Sequence, residues 1–107
     1  MNADQAVVDP SKLRDYLLSP SHPVGRFKAT FFTTLGYSQQ EWPVLKDDLL
    51  AIVCAGQPVL GKDSGYGQKY EVSGTLTGPN GKQARIKTVW LVSLDETAPR
   101  FVTAFPE

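Results

Sequence analysis

A single histidine, His22, stands in the stretch SPSHPVGRFKATFF, with Arg26 and Lys28 close behind it. Further along, ARIKT carries Arg85, Lys87 and Thr88, and the closing VTAFP carries Thr103. Residues of these types suit RNA cleavage without metal. A base takes the proton from the 2′-OH, an acid protonates the leaving oxygen, and cations or hydroxyl donors hold the charged phosphorane. Histidine serves in either proton role near neutral pH. On this reading His22, Lys28, Lys87, Thr88 and Thr103 are the catalytic candidates. Arg26, Tyr66, Arg85 and Trp90 are the substrate-binding ones, with Tyr66 and Trp90 as surfaces on which a base could stack. The plainer reading is that a histidine before proline fills a turn, that Lys and Arg decorate an exposed sheet, and that Trp90 belongs to the core.

Three other patterns carry less. GQPVLGKDS has the G-x-x-x-x-G-K spacing of a phosphate-binding loop, but Asp63 stands where a hydroxyl should bind magnesium. Its context is helix before and strand after, the reverse of what such a loop needs, so a flexible surface loop is expected. Cys54 lies in the apolar run LLAIVCAG near a helix C-terminus, where the dipole disfavours a thiolate, and a small buried hydrophobe is expected. One histidine with scattered carboxylates makes no ligand spacing, and neither metal nor cofactor is expected.

The elements that must position these residues divide the chain into a helical first half and a strand-rich second half, an α+β arrangement. Ser11–Leu18 reads as a short helix with Asp9 or Ser11 as cap, and Leu13, Leu17 and Tyr16 form its apolar stripe. Pro20 and Pro23 break it. Gly25–Leu35 reads as a second helix with Phe27, Phe31 and Leu35 on one face and Gly36 as a left-handed stop. Its free N-terminal N–H groups favour an anion near residues 22 to 28. Ser38 and Glu41 have capping-box spacing before a third helix, Glu41–Ala55, with Leu45, Leu49, Ile52 and Val53 inward. Pro58–Leu60 allows a short strand. Lys69–Leu76, Arg85–Leu94 and Arg100–Phe105 read as antiparallel strands, with GPNGK as a hairpin turn. The expected fold is three N-terminal helices on one face of a three- to four-stranded antiparallel sheet. The expected core holds Leu17, Phe31, Leu35, Leu49, Ile52 and Val53.

The totals allow one domain of 107 residues, with residues 1–10 as a flexible N-terminus. Eleven basic residues balance 11 acidic ones, which argues against a bulk nucleic-acid coat protein and leaves room for a local basic patch. Between Gly61 and Trp90, Lys62, Lys69, Lys82, Arg85 and Lys87 face only Asp63 and Glu71, so the sheet half is locally positive. The opening MNADQAVVDP lacks the basic and apolar regions of a signal peptide, no apolar run approaches a membrane span, and one cysteine forms no internal disulfide. A cytoplasmic protein with no membrane contact is expected.

KLRDYLLSPSHPVGRFKATFFTTLGY resembles the opening of a small bacterial family of unknown function, with the pattern L-x-x-Y-L-L-x-x-x-H-P-x-G-x-x-K-A-x-F-F-x-x-x-G. GPNGKQARIKTVWLV and PRFVTAFP are similar to that family's other recurrent block. The ending, a tryptophan strand, a proline and then V-T-A-F-P, also resembles the barnase–EndoU–colicin–RelE superfamily. Its members are metal-independent ribonucleases, many of them toxin domains of bacterial conflict systems, with helices before an antiparallel sheet. That resemblance implies roles for His22, Lys28, Arg85, Thr88 and Thr103. With no second histidine, Arg26, Lys28, Lys87 or Tyr66 has to complete the acid–base pair. The function it implies is a metal-independent RNase-like toxin domain of a conflict or toxin–antitoxin system. The alternative is a non-catalytic binding module acting as partner or immunity component. Expected partners are RNA and a cognate antitoxin or immunity protein, and an exposed strand edge allows a homodimer.

Overall fold

The computed structural model describes residues 1–107, all but the side chain of Ser64. A 3-10 turn at Ala3–Gln5 precedes α1 (Pro10–Lys12), which runs on as a π-helical turn over Leu13–Leu17. Then come α2 (Gly25–Thr34), α3 (Trp42–Ala55) and four strands, β1 (Val59–Ser64), β2 (Gly67–Thr77), β3 (Gln83–Ser93) and β4 (Arg100–Pro106). The strands form one antiparallel sheet in the order β1-β2-β3-β4. The fold is α+β, with three helices, the first of them short, ahead of a four-stranded antiparallel sheet. No helix among the described residues is long and apolar enough to cross a membrane.

Local chemistry explains where each helix starts and stops. Asp9 Oδ1 accepts from Ser11 N at 2.9 Å and from Ser11 Oγ at 2.8 Å, and Pro10 follows the cap, where its missing N–H costs nothing. α2 ends at Gly36, whose φ of 98° lies in the left-handed region that favours glycine. The tip of the β2–β3 hairpin then meets this end: Asn80 Nδ2 donates to Thr34 O at 3.0 Å and Asn80 N to Leu35 O at 3.4 Å. Ser38 Oγ accepts from Glu41 N, and Pro43 sits in the first turn of α3.

Pairing register decides which strand residues are buried. Val72 opposes Thr88, Gly74 opposes Ile86, and Thr88 opposes Ala104. One face of the sheet therefore carries Val72, Leu76, Ile86, Thr88, Trp90 and Ala104, all buried. α3 lies against this face: a Cβ on Gly74 would meet Ile52 Cγ2 at 2.9 Å. The other face carries Lys69, Glu71, Ser73, Arg85, Lys87, Val89 and Thr103, none of them buried.

Several expectations need correction. Phe31 is only partly buried and Phe27 is 70% exposed, because the inward stripe of α2 is Gly25, Ala29 and Phe32. Tyr16 packs against the core but is only half-buried beside the fully buried Leu13 and Leu17; the π turn there closes on an i→i+5 bond, Leu18 N to Leu13 O at 2.8 Å, which changes the side-chain period. Cys54 is exposed, one position past the Ile52–Val53 face of α3. The stretch GQPVLGKDS is largely β1 rather than a loop, with an irregularity between Leu60 and Asp63. In the opening residues Val7 bridges Arg100 in parallel, Val8 is buried, and Asn2 N donates to Thr97 O.

Candidate functional site

A cleft of about 640 Å³ opens between the first helical turns and β4, lined by Lys12, Asp15, Tyr16, His22, Val102 and Thr103 among others. Each wall has a local cause. The π turn leaves Tyr16 half-buried at the margin of the core, with its ring packed against it and its hydroxyl at the cleft, while Leu13 and Leu17 are fully buried. On β4 the register shifts between Val89, paired to Thr103, and Trp90, paired to Phe101. Val102 is the extra residue, and a bulge of this kind re-aims neighbouring side chains.

The proline-flanked histidine forms the third wall. His22 Nδ1 accepts from Val24 N at 3.0 Å and from Gly25 N at 2.9 Å, while His22 O accepts from Arg26 N at 3.1 Å. The ring thus caps α2. An Nδ1 that accepts carries no proton, so the neutral tautomer holds it on Nε2 as a donor. Phe27 N is also taken, by Val24 O at 3.4 Å. The first N–H groups of α2 are satisfied from within, which removes the basis for the anion expected at that helix end. Gly25 is required by close approach, since a Cβ there would lie 2.0 Å from Tyr16 O.

Lys28 closes the cluster from one turn further along α2. Its Nζ donates to Tyr16 Oη at 2.7 Å and to Thr103 Oγ1 at 3.0 Å, and lies 5.2 Å from the centre of the Tyr16 ring. His22 meets the same ring edge-on at 5.0 Å. Burial pushes the Tyr16 hydroxyl upward, but hydrogen bonds from Lys28 and Thr103 and the charges of Lys28 and Lys12 outweigh it. The net direction is below the ordinary tyrosine value.

Of the residues expected to form a site, the structure brings His22, Lys28 and Thr103 together. Lys87 is one diagonal step from Thr103 on the uncovered sheet face, because Lys87 opposes Phe105 and Val89 opposes Thr103. Such neighbours lie about 7–8 Å apart. Lys87 pairs with Glu71 at 3.4 Å, and Arg85, on the same face, with Glu107 at 3.9 Å. Arg26 lies over the Phe27 ring at 4.9 Å, outside the cleft. Tyr66 is 80% exposed at the β1–β2 turn and does not line the cleft.

Thr88 and Trp90 require correction. Both are fully buried. Thr88 Oγ1 donates to Val72 O at 2.7 Å and accepts from Trp90 Nε1 at 2.7 Å, and Phe101 packs edge-on to the indole at 5.3 Å. The hydroxyl satisfies a core indole and a strand carbonyl, and both side chains are closed off from the surface. The residue that sequence reasoning missed is Tyr16, which His22, Lys28 and Thr103 each touch. Its signal was present: Tyr16, His22 and Lys28 are the polar members of the Y-L-L…H-P-x-G-x-x-K pattern.

No curated protein matches the chain. The chain is similar to one in a solved contact-dependent growth inhibition toxin–immunity protein complex from Klebsiella pneumoniae 342, with a TM-score of 0.75 and 25% identity over 95% of this chain and 100% of that one. A family model matches residues 1–107 throughout, and the chain belongs to that family, described as domain of unknown function (DUF6883).

Proposed function

We propose that this protein is the toxin component of a bacterial growth-inhibition system and that it cleaves RNA without metal at the His22–Tyr16–Lys28–Thr103 cleft. The observation that carries the reading is the Lys28 ammonium held between two hydroxyls beside an imidazole N–H. This is a set of donors suited to a phosphate whose charge grows during the reaction. The uncovered sheet face adds Lys87 and Arg85 beside Thr103 as contacts for the flanking backbone. The likeness to a chain from a toxin–immunity complex supports a role in bacterial conflict and a cognate protein partner. A specific observation also supports partner docking: β1 is an open edge strand whose Val59 and Leu60 are 59% and 69% exposed.

Purified protein, freed of any partner, is incubated with total tRNA and rRNA in EDTA. Cleavage leaving a 2′,3′-cyclic phosphate or a 3′-phosphate is expected, because the 2′-OH is the nucleophile. Folded protein that cleaves no RNA, but binds a cognate nuclease, would transfer the assignment to an immunity component.

A further inference from the structure

The ribonuclease reading lacks a base. His22 is the chain's only histidine, and its Nδ1 is occupied by two backbone N–H groups, which leaves Nε2 protonated. With Nε2 protonated, the imidazole can take up a proton only at Nδ1, and a proton there would break the cap of α2. Asp15 lines the cleft, but Arg14 holds both its oxygens, Nε to Oδ1 at 3.0 Å and Nη2 to Oδ2 at 3.1 Å. That pairing lowers its carboxyl further, making it a weak base.

Tyr16 Oη remains. It accepts the 2.7 Å hydrogen bond of Lys28, stands beside Thr103, and lines the cleft. We infer that Tyr16 is the proton acceptor for the 2′-OH and that Lys28 is the matching proton donor to the leaving oxygen. This inference rests on the ribonuclease reading and names its acid–base pair. In the first step the Tyr16 phenolate takes the 2′-OH proton while the 2′-oxygen bonds to phosphorus. The phosphorus–O5′ bond then breaks, and O5′ takes a proton from the Lys28 ammonium. Tyr16 is left as phenol and Lys28 as amine. One transfer along their hydrogen bond, Oη to Nζ, restores both, so no outside acid or base is consumed. His22 Nε2–H serves as donor to the phosphoryl oxygens, while Thr103 Oγ1–H holds the phenolate.

The groups facing Tyr16 give this pair its pH dependence. Lys12 and Asp15 come from its own turn, His22 from the connection, Lys28 from α2, and from β4 only uncharged Val102 and Thr103. Both cations favour the phenolate. The active form therefore gains population at lower pH than for a free tyrosine, whose pKa is about 10.

The test measures kcat/KM against pH on an RNA substrate in EDTA for the wild type, Tyr16→Phe and Thr103→Val. Tyrosine 13Cζ shifts are titrated by NMR in the same proteins. In the wild type the rate should rise about tenfold per pH unit and level off below the ordinary tyrosine value. Tyr16→Phe should lower kcat/KM by about a hundredfold or more and abolish that limb. Thr103→Val keeps the shape of the side chain but removes a hydrogen bond to the phenolate, so both the limb and the Tyr16 titration should move to higher pH. If Tyr16→Phe retains the rate and the limb while the wild type cleaves RNA, Tyr16 is excluded and the ribonuclease reading stands. If the wild type cleaves nothing, both fall. Should Tyr16→Phe fail to fold, Thr103→Val decides, and an unshifted limb overturns the assignment.

Discussion

His22 joins two demands in one ring. Its Nδ1 closes the start of α2, and its Nε2–H remains for a ligand. Two substitutions separate these. His22→Ala removes both and should cost about 1 kcal/mol of stability, the usual scale for a lost helix cap, together with activity. His22→Asn supplies a carbonyl oxygen that accepts from the N–H two residues on, so thermal melting should recover most of that loss while RNA cleavage stays low. Recovery of cleavage along with stability would make the ring a turn residue only. The sequence showed the turn, because Pro20, Pro23 and Gly25 restrict the chain there. Tyr16 was passed over although the Y-L-L…H-P-x-G-x-x-K pattern carries it, because a helical period of 3.6 reads it as one more apolar residue beside Leu13 and Leu17 and gives no place for its hydroxyl. Trp90 and Thr88 misled for the opposite reason: polar atoms on a strand read as exposed until a buried partner for each is seen.

At the scale of elements, α2, α3 and the last three strands were legible within a residue or two, because Gly36, Pro43, Gly56 and the GPNGK turn mark their boundaries. β1 was underestimated because Gly61, Lys62 and Asp63 break the apolar alternation on which a strand reading depends. The junction between α2 and the hairpin could not be read at all, since it joins residues distant in sequence. There Asn80 satisfies carbonyls at the end of α2, and Gly36 holds its φ of 98°. Gly36→Ala should cost about 1–2 kcal/mol, the scale for placing a Cβ in the left-handed region. Chemical denaturation checks this, and a midpoint equal to that of the wild type would show that the chain relaxes out of that conformation.

Over the whole molecule, zero net charge conceals an asymmetry between the two sheet faces. On the two central strands, β2 and β3, the buried face carries no charged side chain, while the open face carries Lys69, Arg85 and Lys87 against Glu71. Composition revealed the positive bias of this half of the chain. Only the strand register reveals that its charges share a face with Thr103. Lys87→Ala should weaken RNA binding and reduce the salt slope of log affinity by about 1, the signature of one lost phosphate contact. Lys46→Ala, on α3, serves as the control and should leave the slope unchanged. Fluorescence anisotropy at several salt concentrations reads both, and equal slopes in all three proteins would remove this face from the RNA path.

Cys54 is the chain's one cysteine, it is exposed, and its Sγ lies 3.6 Å from the carbonyl of Ala3. A maleimide dye or nitroxide would therefore attach at a single position with no prior removal of other thiols, beside the opening turn. Its emission or line width would report, in solution and in real time, whether the first residues stay seated or lift away when a partner protein arrives.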